Sequence, residues 1–243
     1  MAYILEICCF NLQSCIVAAS SGADRLELCM DPGDGGTTPS YGLIRAAREK
    51  CAVRLYPIIR PRGGDFFYDD DDYAQMMLDI RLCKDLDCDG VVIGGLLPDG
   101  SIDKARCAQL VEAAGTMGVT FHRAFDRASD PRHALEDIID IGCERILTSG
   151  QHPTAMEGAP LIQALVTQAG ERIRIMPGGG VRAENIVALQ EKTGAGEFHT
   201  AARIRLPSMM QFINPAMKEQ LTSTAVHSDE IRQMRTLLDK LHT

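Results

Sequence analysis

Apolar positions along the chain switch repeatedly between two periods. Eight short runs either alternate apolar and polar residues or are apolar throughout, as strands do. Each is followed by a stretch with helical period. The strand-like runs are Ile4–Cys8, Arg25–Cys29, Arg54–Arg60, Gly90–Ile93, Val119–His122, Arg145–Thr148, Arg174–Met176 and Glu197–His199. The helical stretches are Asn11–Ser20, Ser40–Lys50, Asp69–Asp87, Asp103–Met117, Asp130–Ile141, Ala159–Ala169, Ala183–Thr193 and Asp229–Leu241. Repeated strand–helix alternation predicts parallel strands joined by crossover helices. Eight repeats in 243 residues predict an α/β fold, a single-domain (β/α)8 TIM barrel, for which about 250 residues is typical. An open doubly wound sheet is the alternative topology.

Local residues support the element ends. Ser40, Asp69, Asp103 and Asp130 stand where a side-chain oxygen can accept from free backbone N–H groups, and Pro131 suits a first helical position. Pro57 lies inside the third strand, where its missing N–H predicts a bulge. The connection Thr200–Ser228 is too long for an ordinary loop. It is expected to be an active-site lid, an oligomer contact or a partly disordered segment. Gly33–Thr38, with three Gly in six residues, predicts a second flexible loop near the same end.

Side chains alternate across a strand. If Leu5, Ile7, Leu26, Leu28, Leu55, Ile59, Val119, Phe121 and Phe198 face the helices, the opposite parity points inward. That parity gathers Glu6, Cys8, Glu27, Cys29, Tyr56, Ile58, Arg60, Thr120, His122, Glu197 and His199 inside the barrel. Most of the charged ones lie late in their strands, and barrel active sites form at that end. Glu6, Glu27, His122, Asp126 and His199 are therefore the candidate catalytic residues for acid–base work. Asp126 stands ready to orient His122 or to pair with Arg123. A satisfied internal salt-bridge network without chemistry is the bland alternative.

The loops after the strands add candidate binding groups. Arg60 and Arg62, separated by a rigid Pro and followed by Asp65, offer two forks for a carboxylate or phosphate. Arg123 follows the fifth strand, and Thr148 and Ser149 end the sixth. Gly178, Gly179 and Gly180 follow the seventh and expose backbone N–H groups, the usual way a barrel grips phosphate. A tight turn or a solvated surface loop explains each of these segments equally simply.

Composition narrows the partners. The formal net charge of -8 argues against nucleic acid and anionic membrane surfaces, leaving a small anionic molecule in the barrel mouth as the expected partner. No run approaches the roughly 18 apolar residues of a membrane span. The opening Met-Ala-Tyr-Ile-Leu-Glu has no basic segment before an apolar one, so no signal peptide is expected. Nine cysteines, an odd number scattered through apolar runs, predict reduced thiols and a cytoplasmic location. No dinucleotide fingerprint or P-loop is present, so no organic cofactor is expected. Cys8 and Cys29 share inward parity on neighbouring strands about 4.8 Å apart, close enough for two thiolates to hold Cu(I). Two small core residues would look the same.

Several longer segments carry a resemblance. LEICCFNLQSC at the start, RPRGGDFFY (Arg60–Tyr68), TFHRAFD (Thr120–Asp126), RILTSGQ (Arg145–Gln151) and GGGVRAENI (Gly178–Ile186) are similar to the CutC family, named for copper homeostasis. The likeness runs from about residue 3 to residue 203, and the last helix fits more loosely. It implies a TIM barrel, a cytoplasmic homo-oligomer, most often a dimer, and a role in copper handling, with copper (Cu(I)) as the implied ligand. Glu-Phe-His-Thr-Ala-Ala at the eighth strand departs from a Ser-rich version, with Thr200 standing in for the hydroxyl. The residues themselves point as well to a second reading, a barrel enzyme for a small phosphorylated or carboxylated metabolite.

Overall fold

The computed structural model describes residues 3–218 and 221–241. Eight parallel strands form the barrel: β1 (Ile4–Cys9), β2 (Arg25–Leu28), β3 (Arg54–Pro57), β4 (Gly90–Ile93), β5 (Gly118–Phe121), β6 (Arg145–Thr148), β7 (Arg174–Pro177) and β8 (Glu197–Thr200). Helices α1 (Leu12–Ser20), α2 (Tyr41–Lys50), α3 (Asp70–Asp85), α4 (Lys104–Ala114), α5 (Pro131–Asp140), α6 (Ala159–Ala169), α7 (Ile186–Thr193) and α8 (Ser228–Lys240) form the outer layer. No helix among the described residues is long and apolar enough to cross a membrane.

The strand ladders fall into two arcs, β3-β2-β1-β8 and β4-β5-β6-β7. The arcs meet where β3 lies beside β4 and β7 beside β8. Pro57 explains part of the first seam. In a parallel strand alternate residues bond to opposite neighbours. The Ile58 N–H reaches the Leu28 carbonyl on β2, and the Ile59 N–H reaches Val92 on β4. Residue 57 has the parity of 59, so its absent N–H removes a bond toward β4. The expected bulge is not there, because Pro57 pairs in register with Leu28.

Alternation holds on both faces. Leu5, Ile7, Leu26, Leu28, Leu55, Ile59, Val119, Phe121 and Phe198 all belong to the large core between barrel and helices. Fully burying each such side chain contributes about 1.5–3 kcal/mol. A separate small cluster inside the barrel holds Cys8, Cys29, Tyr56, Ile58 and Val92. The helix starts follow from their caps. Ser40, Asp69 and Asp103 accept from the N–H groups of Leu43, Asp72 and Arg106, and Asp130 accepts from Arg132 and His133 with Pro131 beside it.

The connection before α8 takes a form the sequence did not suggest. Strands β9 (Arg203–Pro207) and β10 (Thr222–Val226) pair as an antiparallel hairpin. Between them Met209, Met210, Phe212 and Ile213 stand exposed. Asn11 anchors the hairpin to the barrel by donating to the Thr224 carbonyl at 2.7 Å.

Candidate functional site

The interior is built in layers. At the amino end of the strands Arg25 and Arg145 flank the Tyr56 ring, with guanidinium carbons 5.3 and 5.5 Å from its centroid. Both donate to Glu197, at 2.7 and 2.8 Å. Arg25 also pairs with Glu6, directly across the β1–β2 ladder. Charges this deep are retained only because each is paired. Arg25 and Arg145 are interior residues that the sequence reading missed. The signal was available, since Arg25 has the parity of Glu27 and stands at the start of the same strand.

One layer up, Glu6 accepts from His199 Nδ1 at 2.7 Å. Burial pushes the Glu6 carboxyl toward protonation, but Arg25 and His199 outweigh it and hold it far below the usual range. Glu6 is fully buried and spent on these partners, so its expected acid–base role gives way to a positioning one. His199 Nε2 then faces Glu27 at 3.7 Å. Burial disfavours charge on this imidazole, yet Glu27, Cys8 and Glu6 together keep it well above its ordinary value.

The top of the stack is a thiol pair. Cys8 Sγ lies 3.6 Å from Cys29 Sγ, and Cys29 donates to Glu27 Oε2 at 3.5 Å. Ligand atoms of Cys8, Glu27 and Cys29 all lie within 4.8 Å of one another. The bond from Cys29 lowers the Cys8 thiol to about 5, against burial and with help from His199. Burial, reinforced by the Cys8 charge, raises both Glu27 and Cys29 above their ordinary values. The surroundings thus favour the thiolate of Cys8 and the charged form of His199, with the Glu6 carboxylate behind the ring.

Above this floor opens a cleft of about 1350 Å³ at the carboxyl ends of the strands, lined in part by Cys8, Glu27, Arg60, His122, Arg123 and His199. Asp65, Asp126, Gly179 and Gly180 also line it. A smaller cavity of about 440 Å³, around Arg54 and Glu144, opens at the opposite end, away from these groups.

Several expected contacts are rearranged. Arg60 donates to the carbonyls of Asp34, Gly36 and Gly64 and lies over the Phe66 ring. Arg62 donates to Asp65, Asp72 and the Phe67 carbonyl and is not among the lining residues. Most of the expected double fork is therefore taken up by protein acceptors, and Arg60 Nε stays buried without a partner among the described residues. Asp126 does not reach His122. It accepts from Arg123, Thr148, Ser149 and Gln151. Thr148 and Ser149 are accordingly buried scaffold for Asp126, and Gly178 sits below the lining with its N–H on the Thr148 carbonyl.

His122 caps a 3-10 turn, Arg123–Arg127, that the sequence reading took as plain loop. Its Nδ1 accepts the Ala124 N–H at 3.1 Å. Burial, then the Arg60 charge, lowers its pKa to about 3. The ring is therefore neutral, with the proton on Nε2, and that buried atom has no partner. Gly94 makes room for it, because a Cβ there would stand 2.5 Å from the imidazole Cε1.

Comparison with known proteins gives one family. The CutC family is matched over residues 3–204. A CutC family protein of Chromobacterium violaceum is 46% identical over 246 residues, covering 99% of this chain and 100% of its own. One of Parabacteroides distasonis is 47% identical over 242 residues, covering 99% and 98%. Among solved structures, a copper homeostasis protein CutC from Streptococcus agalactiae superposes with a TM-score of 0.78 at 36% identity, covering 82% of this chain and 98% of its own. A thiamine phosphate pyrophosphorylase from Pyrococcus furiosus superposes at 0.61 with 12% identity over 100% of this chain and 98% of its own, a likeness of fold alone.

Proposed function

The chain belongs to the CutC family, and from that premise we propose that it takes part in copper homeostasis by binding Cu(I) at the floor of the barrel mouth. Cys8 and Cys29 are the two sulfur donors, with the Glu27 carboxylate the third group within reach. The carrying observation is the 3.6 Å approach of two buried thiols. Soft thiolates favour Cu(I) over harder ions. Cys8 gives up its proton easily, and Cys29, whose pKa burial and the Cys8 charge raise, is the thiol whose proton the ion must displace. The copper name of the S. agalactiae relative agrees with this reading. All nine cysteines are free and buried, in keeping with a cytoplasmic home, and the family resemblance suggests a homodimer or higher homo-oligomer.

Anaerobic titration with Cu(I) against a colorimetric chelator tests the site. Wild type is expected to take up one equivalent, and Cys8→Ser with Cys29→Ser is expected to take up none. Equal uptake by the double variant rules the thiol site out.

A second reading is favoured by size. A cleft of about 1350 Å³ far exceeds the space an ion needs, and suits a small metabolite. On that reading the barrel is an enzyme for an anionic substrate, with Glu27 and His199 as the acid–base pair. Retention of an organic anion by the freshly purified protein, detected by native mass spectrometry, supports it; a bare protein with no affinity for any added anion removes it.

A further inference from the structure

The loop after β7 turns unpaired donors toward the cleft. The Gly179 carbonyl accepts from the Ala155 N–H at 2.9 Å, and the Gly180 carbonyl accepts from Asn185 Nδ2 at 2.8 Å. In a trans peptide the N–H points opposite to its carbonyl. The N–H groups of Gly180 and Val181 therefore point away from the scaffold that holds those carbonyls. Neither they nor the Gly179 N–H has a protein acceptor among the described residues, and all three residues line the cleft. Gly179 and Gly180 sit at φ +99° and +72°, a conformation that suits glycine.

A guanidinium stands beside this turn. Arg123 Nε donates to Asp126 at 2.7 Å and Nη2 to Ser149 at 2.6 Å. Nη1 has no acceptor among the described residues and lies 3.5 Å from the position a Cβ would take on Gly179. The fork is thus anchored on two nitrogens with the third open. Asp126 carries the opposing charge nearby, but five donors already hold it. His122, the preceding residue, adds an independent sign. It is 3% exposed, lines the same cleft, and its Nε2 has no partner.

We infer that the cleft holds a small organic phosphate, with its phosphate on the N–H groups of Gly179, Gly180 and Val181 and on Arg123 Nη1, and with a carbonyl or hydroxyl oxygen on His122 Nε2. This rests on the second reading above and names its substrate class. Three unpaired N–H groups on consecutive residues and one guanidinium match the several oxygens of a phosphate better than the two of a carboxylate. A neutral imidazole donates to an uncharged oxygen without competing for the anion. None of these groups belongs to the thiol pair, so copper and phosphate occupy different parts of the mouth.

Calorimetry with inorganic phosphate and with ribose 5-phosphate tests the assignment. Both probes are expected to bind wild type. Arg123→Gln is expected to weaken both by about tenfold or more, as loss of a charged contact does. His122→Phe is expected to leave inorganic phosphate within about twofold and to weaken ribose 5-phosphate by about tenfold. Backbone NMR of the wild-type protein gives a check that needs no variant: the amide signals of Gly179, Gly180 and Val181 should move on adding phosphate. If phosphate binds while those amides stay still, or Arg123→Gln binds as tightly as wild type, the subsite is wrong although an anionic ligand survives. If neither probe binds at all, the phosphate assignment falls, and the enzyme reading falls with it only if carboxylate probes such as citrate fail to bind as well.

Discussion

At the scale of single residues, hydrogen bonds decide what each side chain can do. His122 accepts the Ala124 N–H on Nδ1, so the neutral ring keeps its proton on Nε2, which is buried in the cleft lining. Its pKa is lowered from 6.5 to about 3 by burial and by Arg60. Between those values the unfolded chain binds a proton that the folded chain refuses. Stability contributed here is complete above about pH 6.5 and is lost as pH falls toward about 3, by up to about 1.4 kcal/mol per unit. Urea unfolding at about pH 7.5 and about pH 4.5 checks this. Wild type is expected to lose about 2 kcal/mol more than His122→Gln over that interval; equal losses would show that the ring protonates freely in the fold. The residue identities Arg60, Arg62 and Asp126 were visible in the sequence, but their partners were not. Arg60 turns to the carbonyls of Asp34, Gly36 and Gly64, which are brought to it from another loop and from its own. No spacing rule foretells such a meeting.

Elements were more legible, because what makes them is local. Alternation separated Leu5 and Ile7 from Glu6 and Cys8 on β1, and the same rule worked on β2, β3, β5 and β8. Helix starts were equally readable, since a cap needs only a neighbour three residues on. Asp130 accepts from both Arg132 and His133, at 3.0 and 3.1 Å. Asp130→Ala is expected to cost about 1 kcal/mol in chemical denaturation, with Asp130→Asn largely preserving stability. The 3-10 turn Arg123–Arg127 and the β9–β10 hairpin were not foreseen. The first is stabilised by a histidine cap, an uncommon choice, and the second by pairing across a long, weakly patterned segment.

Across the whole molecule, one ion network joins four strands. Arg145 on β6, Glu197 on β8, Arg25 on β2, Glu6 on β1 and His199 on β8 form a chain of pairs inside the barrel. Glu6→Gln leaves Arg25 and His199 buried with less compensation. Thermal and urea unfolding are expected to show a loss of about 3–5 kcal/mol, the range for breaking a buried pair. A loss below about 1 kcal/mol would mean that Glu197 alone satisfies Arg25. This network also sets the depth of the site: it fills the amino-terminal half of the barrel, so a ligand can enter only as far as Cys8, Glu27 and Cys29.

What the sequence determined by itself was the order of strands and helices, the inward parity of Glu6, Cys8, Glu27, Cys29, His122 and His199, and the end of the barrel at which they gather. Those follow from backbone geometry, which repeats along the chain. The tertiary structure alone decided which of these groups are consumed and which stay open. It spent Arg60 on loop carbonyls and Arg62 on Asp65, Asp72 and the Phe67 carbonyl, set Glu6 behind His199, and left Arg123 Nη1, His122 Nε2 and the Gly179–Val181 amides without partners among the described residues. Satisfaction of a donor depends on which distant acceptors arrive beside it, and only the closed barrel brings them there.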